Sequence, residues 1–210
     1  MQELGCKTIG QYLRELERQP DAMAACNQCL RVTISRFFRD RQLWQVLATR
    51  ILPDLTRQFP PPLRIWSAGC ACGEEAYSLA ILWNELERSA TLNLLATDAD
   101  ERCLARARQG IYGRSSLKEV PHDIQCQSFE TKKGGRQFLI KARLLTSIRW
   151  EKHDLLDSPP GGDPFQMIFL RNNLLTYYKG PELQTAFERI VARIAPGGYL
   201  VIGSHERCPD

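Results

Sequence analysis

The 210-residue sequence contains no apolar run approaching the roughly 20 residues that a membrane-spanning helix needs. Its first residues, MQELGCKTIGQYL, mix acid and base with no apolar core. That excludes a secretory signal and predicts a cytoplasmic protein with no membrane insertion. Histidine is scarce, with three residues, and none of them forms a closely spaced pair. Cys26 and Cys29 make a Cys-x-x-C, but no second such pair completes a tetrahedral zinc set. The G-x-G-x-x-G spacing of a dinucleotide-binding turn is missing, and so is the Lys-Ser/Thr of a phosphate-binding loop. There is no repeat and no low-complexity tract. A strongly one-signed charge is lacking too: the net +4 is spread along the chain, and its densest cluster, Lys132, Lys133 and Arg136, is short. It reads as a solvated face, so no nucleic-acid partner is expected.

What is present describes a globular protein, 43% hydrophobic and 25% charged, long enough for one domain with a small appendage. Eight cysteines are many for this length, and without a signal sequence they read as reduced thiols. Cys26 and Cys29 also fall at helical spacing, where cysteine packs as a small apolar residue, and no metal is expected. Ile9, Tyr12, Leu13 and Leu16 form a helical stripe over 8–18, a second short helix is predicted over 21–30, and a longer one over RQLWQVLATRILPDL. FPPP at 59–62 breaks the pattern and separates a helical N-terminal segment, 1–60, from the remainder, 61–210.

From Leu63 strands alternate with helices: LRIWSAG, EEAYSLAILWNELER, LNLLATD, ADERCLARARQG, later FQMIFLRN, PELQTAFERIVARIA and YLVIGS. This alternation predicts an α/β fold with a mostly parallel sheet covered on both sides. RQFLIKARLLTSIRWEKHDLL is rich in strand formers.

In such sheets ligands bind at the carboxyl ends of the strands, where SAGCACGEE follows the first one. Glu74 and Glu75 occupy the following helix N-terminus, and two carboxylates there repel a pyrophosphate. Gly69 and Gly73 suit a tight turn with close backbone approach. A ligand with a positive centre fits better. S-adenosylmethionine (SAM) carries a sulfonium, an ammonium and ribose hydroxyls, and Asp98, ending the next strand, can accept from both hydroxyls. Taken singly, each acid reads as a helix-terminal carboxylate or cap; taken together with the glycine turn, they point to a cofactor site.

Five stretches in order, TISRFFRD, WSAGCACGEEAYSLA, ATDADERCLARARQGIYG, FLRNNLLTYY and APGGYLVIGSHE, resemble the motifs of the CheR-type protein-glutamate O-methyltransferases. TISRFFRD (33–40) is similar to that family's T-x-x-T-x-F-F-R-[DE], and WSAGCACGEEAYSLA to its W-S-A-x-x-x-x-G-E-E-x-Y-S. ATDADERCLARARQGIYG, FLRNNLLTYY and APGGYLVIGSHE match further motifs, and the resemblance spans about residues 30–206. It implies a Rossmann-like SAM-dependent methyltransferase sheet, a short helical N-terminal part, and a small antiparallel β-subdomain inserted at 129–150 that docks a protein substrate. The subdomain's bases, Lys132, Lys133, Arg136, Lys141, Arg143 and Arg149, suit acidic receptor helices as well as they suit a solvated face.

Carried over by position, the resemblance puts Thr33, Ser35 and Arg39 at the mouth of the cofactor site, with Ala68 and Gly69 in its turn. It puts Glu75, or its neighbour Glu74, at the methionine end of the cofactor, Asp98 at the ribose, Asp154 and Leu155 at the adenine, and Arg171 and Asn172 alongside. Arg39 and Tyr177 are the implied catalytic pair, one orienting the acceptor carboxylate and the other offering a hydroxyl. Ser35 stands where the family has Thr, and one extra residue between Asn172 and the tyrosine leaves either Thr176 or Tyr177 in the hydroxyl's place. The implied product is S-adenosylhomocysteine and the implied partner the cytoplasmic helices of a chemoreceptor. Methylation of a small molecule or RNA, or SAM binding without turnover, are the alternatives.

Overall fold

Leu63–Ala68 (β1) is a short apolar run buried on both faces, which only a strand with neighbours on each side satisfies. The computed structural model describes residues 8–19, 35–86, 91–132 and 134–209. In it β1 pairs in parallel with Leu92–Asp98 (β2) and with Phe165–Leu170 (β7). Ile148–Lys152 (β6) adds beyond β2 and Ile194–Ile202 (β8) beyond β7, giving the order β6-β2-β1-β7-β8, parallel throughout. The chain winds outward from β1 through β2, then crosses back to β7, so the strand order reverses beside β1. The carboxyl ends there form the crevice at which such sheets hold ligands.

The chain divides into two units, Met1–Ile34 and Ser35–Asp210. In the first, helix α1 (Ile9–Arg18) begins where the Thr8 hydroxyl accepts from the Gln11 N–H at 3.2 Å, as an N-cap does. The helix expected over 21–30, the Cys26–Cys29 pair and Thr33 lie outside the described residues.

In the second unit, α2 (Arg41–Val46) passes through a π-helical turn, Leu47–Ile51, into α3 (Leu52–Gln58). Pro53 has no N–H to give the preceding turn, which accounts for the wider turn just before it. Trp44, Leu47, Leu52 and Leu55 from this stretch join the main core with Leu63, Tyr77, Leu79 and Phe169. These helices therefore belong to the larger unit, although FPPP marks a break in the sequence pattern. α4 (Glu74–Glu85) and α5 (Glu101–Gln109) follow β1 and β2. A second core on the opposite face holds Trp66, Leu95, Leu155, Phe165 and Ile168, covered by Ala186 and Ile190 of α9 (Gly180–Val191).

The small antiparallel sheet starts earlier and ends sooner than residues 129–150. Its order is β3-β5-β4, from Ile111–Gly113 (β3), Gln137–Ile140 (β5) and Phe129–Thr131 (β4). Ile148–Lys152 lies instead in the main sheet, because a short helix, α7 (Ala142–Leu145), turns the chain between β5 and β6. The last strand also starts sooner than YLVIGS: α9 stops at Val191 and β8 takes in Pro196, Gly197 and Gly198 as an irregularity in its register. Gly198 is needed there, since a Cβ would lie 2.7 Å from the Gln166 carbonyl oxygen. Among the described residues no helix is long and apolar enough to cross a membrane.

Candidate active site

Ala68 and Gly69 close β1, and the N–H groups of Gly69 and Cys70 both donate to the Thr97 carbonyl at 2.8 Å. The backbone then turns through Gly69 (φ +73), Ala71 (φ +48) and Gly73 (φ +91), a left-handed run that L side chains resist. Gly73 also has no room for a side chain, with Ala107 and the Trp150 ring each 2.8 Å from where a Cβ would sit. Asp98, at the end of β2, grips this turn: one carboxylate oxygen accepts from Ala71 N–H at 2.8 Å and the other from Asp100 N–H at 2.9 Å. Asp98 is thus not a helix cap. Asp100 is, accepting from Arg102 N–H at 2.9 Å, and its hydrogen bonds with Arg102 lower its pKa.

The two adjacent glutamates have opposite surroundings. Glu74 is 2% exposed, with one oxygen 3.2 Å from the Ser116 hydroxyl and the other without a partner among the described residues. Burial raises its pKa, against the weaker opposing effects of backbone and hydroxyl donors, Ser35 among them. Glu75 accepts from the Ser67 hydroxyl at 2.8 Å and pairs with Arg171 Nη1 at 3.0 Å. Arg171, the residue after β7, is buried, and its Nη2 pairs with Asp40. The guanidinium therefore lies between two carboxylates from distant parts of the chain.

Asp40 reaches Arg171 from a loop that is itself tightly held. Phe37 is fully buried against the rings of Tyr112 and Phe129, and Phe38 N–H donates to the Ser78 hydroxyl at 2.9 Å. Phe38 (φ +53) and Asp40 (φ +65) are both left-handed without being glycine. Asp40 stands at the N-cap of α2 yet makes no side-chain cap, since Arg171 takes its carboxylate. Arg39, between them, is exposed, and it makes no ion pair among the described residues.

Asp154 and Leu155 follow β6 at the same sheet end. Asp154 accepts from Leu156 N–H at 3.0 Å, and Leu155 is buried in the second core. His153, just before, donates its backbone N–H to the Asp98 carbonyl at 3.1 Å, while its ring Nε2 lies 3.1 Å from the Ser158 carbonyl. Asn172 adopts φ +54 after Arg171. Tyr177 ends α8 (Leu174–Tyr177) and is 55% exposed. Ser35, Ala68, Gly69, Glu75, Asp98, Asp154, Leu155, Arg171 and Asn172 are thus placed at or beside the carboxyl ends of β1, β2, β6 and β7, or on the loop docked there.

Sequence reasoning passed over three residues that hold this constellation together. Asn173 donates to the Ala68 carbonyl at 2.6 Å and accepts from Leu174 N–H, tying the loop after β7 to the turn after β1. Glu206 and Asp40 are the others. Both stand in the quoted motifs, and their being acids at motif ends was the only signal. Of the bases assigned to the small sheet, Lys141 and Arg143 are taken up locally by the Cys126 and Gln127 carbonyls of α6 (His122–Ser128), and Arg149 pairs with Glu151 in the main sheet. Cys70 and Cys72 are buried, and Cys72 Sγ lies 3.3 Å from Cys103 Sγ. No group of His, Cys, Asp and Glu suited to a metal occurs among the described residues.

Residues 33–210 match the family model of the CheR methyltransferase SAM-binding domain. The chain belongs to this family. It is 32% identical over 201 residues to a chemotaxis protein methyltransferase of Listeria monocytogenes, covering 95% of this chain and 75% of that protein. Chemotaxis protein methyltransferase Cher2 of Pseudomonas putida is 28% identical over 222 residues, covering 98% and 78%. Among solved structures, a SAM-bound amino pentose methyltransferase from Micromonospora echinaspora superposes with a TM-score of 0.45 at 17% identity, covering 76% of this chain and 50% of that one.

The CheR-type chain is thus a SAM-dependent methyltransferase, with SAM as its cofactor. The strand-end residues fit that cofactor. Glu75, Asp98 and Asp40 outnumber the buried Arg171 guanidinium, which suits a sulfonium and an ammonium rather than a phosphate. The glycine turn brings backbone close to the crevice, and the Glu74 oxygen without a partner is an acceptor awaiting a donor.

Proposed function

We propose that the protein methylates glutamate carboxylates on the cytoplasmic helices of a chemoreceptor. Asp98 accepts the ribose hydroxyls, Glu75 faces the methionine end, and Asp154 and Leu155 hold the adenine. When bound, SAM supplies an electrophilic methyl group on sulfonium. An acceptor glutamate is ionised at neutral pH, with an ordinary pKa of about 4.3, so the chain has no proton to remove. What its residues supply is position and partial exclusion of water.

The observation that carries this reading is Arg39. It is exposed and makes no ion pair among the described residues, yet its neighbours are clamped, Phe38 to Ser78 and Asp40 to Arg171. A cation tethered so close to an acid-rich cofactor site is poorly suited to a cationic cofactor and well suited to an anionic acceptor. Tyr177 is the second acceptor-side group. Thr176, its competitor for that role, donates its hydroxyl to Glu206 at 2.6 Å, which favours the tyrosine. The histidines are not required: His153 is engaged with Ser158, and His122 and His205 are exposed.

The test is methyl transfer from labelled SAM to a purified chemoreceptor cytoplasmic fragment, alongside calorimetric binding of S-adenosylhomocysteine. Arg39→Ala should lower transfer about tenfold or more, equivalent to about 1.4 kcal/mol, while product affinity falls much less. Arg39→Lys should restore only part, since a point charge cannot fork onto a carboxylate. A parallel collapse of transfer and product affinity would move Arg39 into the cofactor site and end its acceptor role.

A further inference from the structure

Glu206 lies 35 residues after Arg171 in sequence, in the GSHE segment that ends β8, yet its carboxylate reaches back to the loop after β7. One oxygen accepts from two backbone N–H groups, Gly203 at 2.7 Å and Asn172 at 2.9 Å. The other accepts from the Thr176 hydroxyl at 2.6 Å. The three donors belong to three different places: the end of β8, the left-handed residue after Arg171, and the last turn of the four-residue helix that carries Tyr177. A helix that short does not hold itself, because one turn fixes several dihedrals for a single hydrogen bond. Its N-terminal end is pinned by Asn173 to Ala68, and its C-terminal end by Glu206 through Thr176.

The space around Gly203 is cut to this arrangement. A Cβ there would lie 2.7 Å from the Glu206 carboxylate and 3.1 Å from the Asn172 side-chain oxygen. The close approach is thus made of a glycine that leaves room and an acid that fills it. A charged acceptor on two N–H groups and a hydroxyl is the stronger class of hydrogen bond, and it satisfies Asn172 N–H, which the left-handed backbone has turned away from the sheet ladder.

We infer that Glu206 is a positioning residue for methyl transfer: it fixes the strand-end loop from Asn172 to Thr176 and so sets Arg171 on one side and the Tyr177 hydroxyl on the other. It touches neither cofactor nor acceptor and acts through the loop. The inference rests on Tyr177 having the acceptor-side role proposed above, and the extra residue before the tyrosine gives it a purpose. An additional residue in the loop needs an additional anchor, and the Thr176 hydroxyl is what that anchor holds.

The test has two arms. In the first, amide hydrogen exchange is measured at Asn172 and Gly203 in the whole chain, which needs no acceptor. Glu206→Ala should speed exchange at both sites about tenfold or more, and Glu206→Gln much less, because the amide keeps one oxygen for the two N–H groups and can donate to the Thr176 hydroxyl. In the second, kcat and S-adenosylhomocysteine affinity are measured on the same variants with labelled SAM and the receptor fragment. Glu206→Ala should lower kcat about tenfold with product affinity changed less than about threefold, and Glu206→Gln should recover most of it. In a Tyr177→Phe background the Glu206→Ala loss should shrink, as residues acting through one group are not additive. Unchanged exchange in Glu206→Ala, or Gln failing as badly as Ala in both arms, overturns the inference. If Tyr177→Phe alone is fully active, the tyrosine reading fails, while the exchange arm still decides whether Glu206 holds the loop. If the receptor fragment is not methylated at all, the proposed acceptor fails, and the exchange arm again stands.

Discussion

The loop after β1 and the loop after β7 meet at the same sheet end, and both contain left-handed backbone, but they are built differently. The β1 loop uses glycine at two of its three left-handed positions, Gly69 and Gly73, so most of its shape is written in its own residues. The β7 loop places Asn172 at φ +54 with no glycine in its own sequence, and borrows its shape from Glu206, from Asn173 on Ala68, and from Arg171 between Glu75 and Asp40. One loop is a local solution, the other a set of long-range contacts. A local loop is strained by a change at its own position. A borrowed loop is broken by removing a partner far away in sequence.

That contrast can be broken most sharply at Arg171. Arg171→Ala removes the cation between Glu75 and Asp40, and denaturant unfolding should show a loss of about 3 kcal/mol, the low end for a broken buried pair, because the two carboxylates that lose their counter-charge are partly exposed. A loss under about 1 kcal/mol would mean the clamp does not hold the β7 loop. Next in size, Asp98→Ala should weaken S-adenosylhomocysteine by about 1.5–3 kcal/mol in calorimetric titration. Asp98 serves the β1 turn through Ala71 as well as the cofactor, so its melting temperature is read alongside, and unchanged affinity would remove Asp98 from the cofactor site.

Gly69→Ala tests the local loop itself. It should cost about 1–2 kcal/mol for left-handed backbone, plus a clash, since the new Cβ falls on Asn173 Nδ2. Gly134→Ala is the control, with φ +91 and open space around it, so it carries strain alone. Equal costs for the two would show that the loops do not press on one another.

The smallest effect is a pH dependence at Glu74. Burial raises its folded-state pKa above the unfolded value, so its contribution to stability is complete below the ordinary carboxylate range and is lost as pH rises through the folded value. Glu74→Gln cannot ionise. The variant's melting temperature relative to the parent should therefore rise as pH is raised through and above the ordinary carboxylate range. A flat difference would show that burial does not shift the Glu74 carboxyl, and a falling one that the carboxylate is stabilised as the anion.

Strand and helix alternation from Leu63 onward, the glycine turn, and Asp98 at a strand end were legible because each is a pattern within a few residues, and such patterns set local conformation. Residues 142–145 read as strand formers and fold as a helix turn, because the chain must leave the small sheet and join the edge of the large one there. The two glutamates could not be told apart in sequence: they are adjacent, and only the packing of Ser116 on one and Arg171 on the other buries Glu74 and pairs Glu75. The partner of the Thr176 hydroxyl could not be read for the same reason. It is Glu206, brought back by the pairing of β8 with β7, that takes the threonine hydroxyl. Local dihedral preference and hydrophobic period are carried by neighbours in the chain and so can be read from it. Which donor satisfies which buried acceptor depends on groups tens of residues apart, and only the assembled sheet brings them within hydrogen-bond reach.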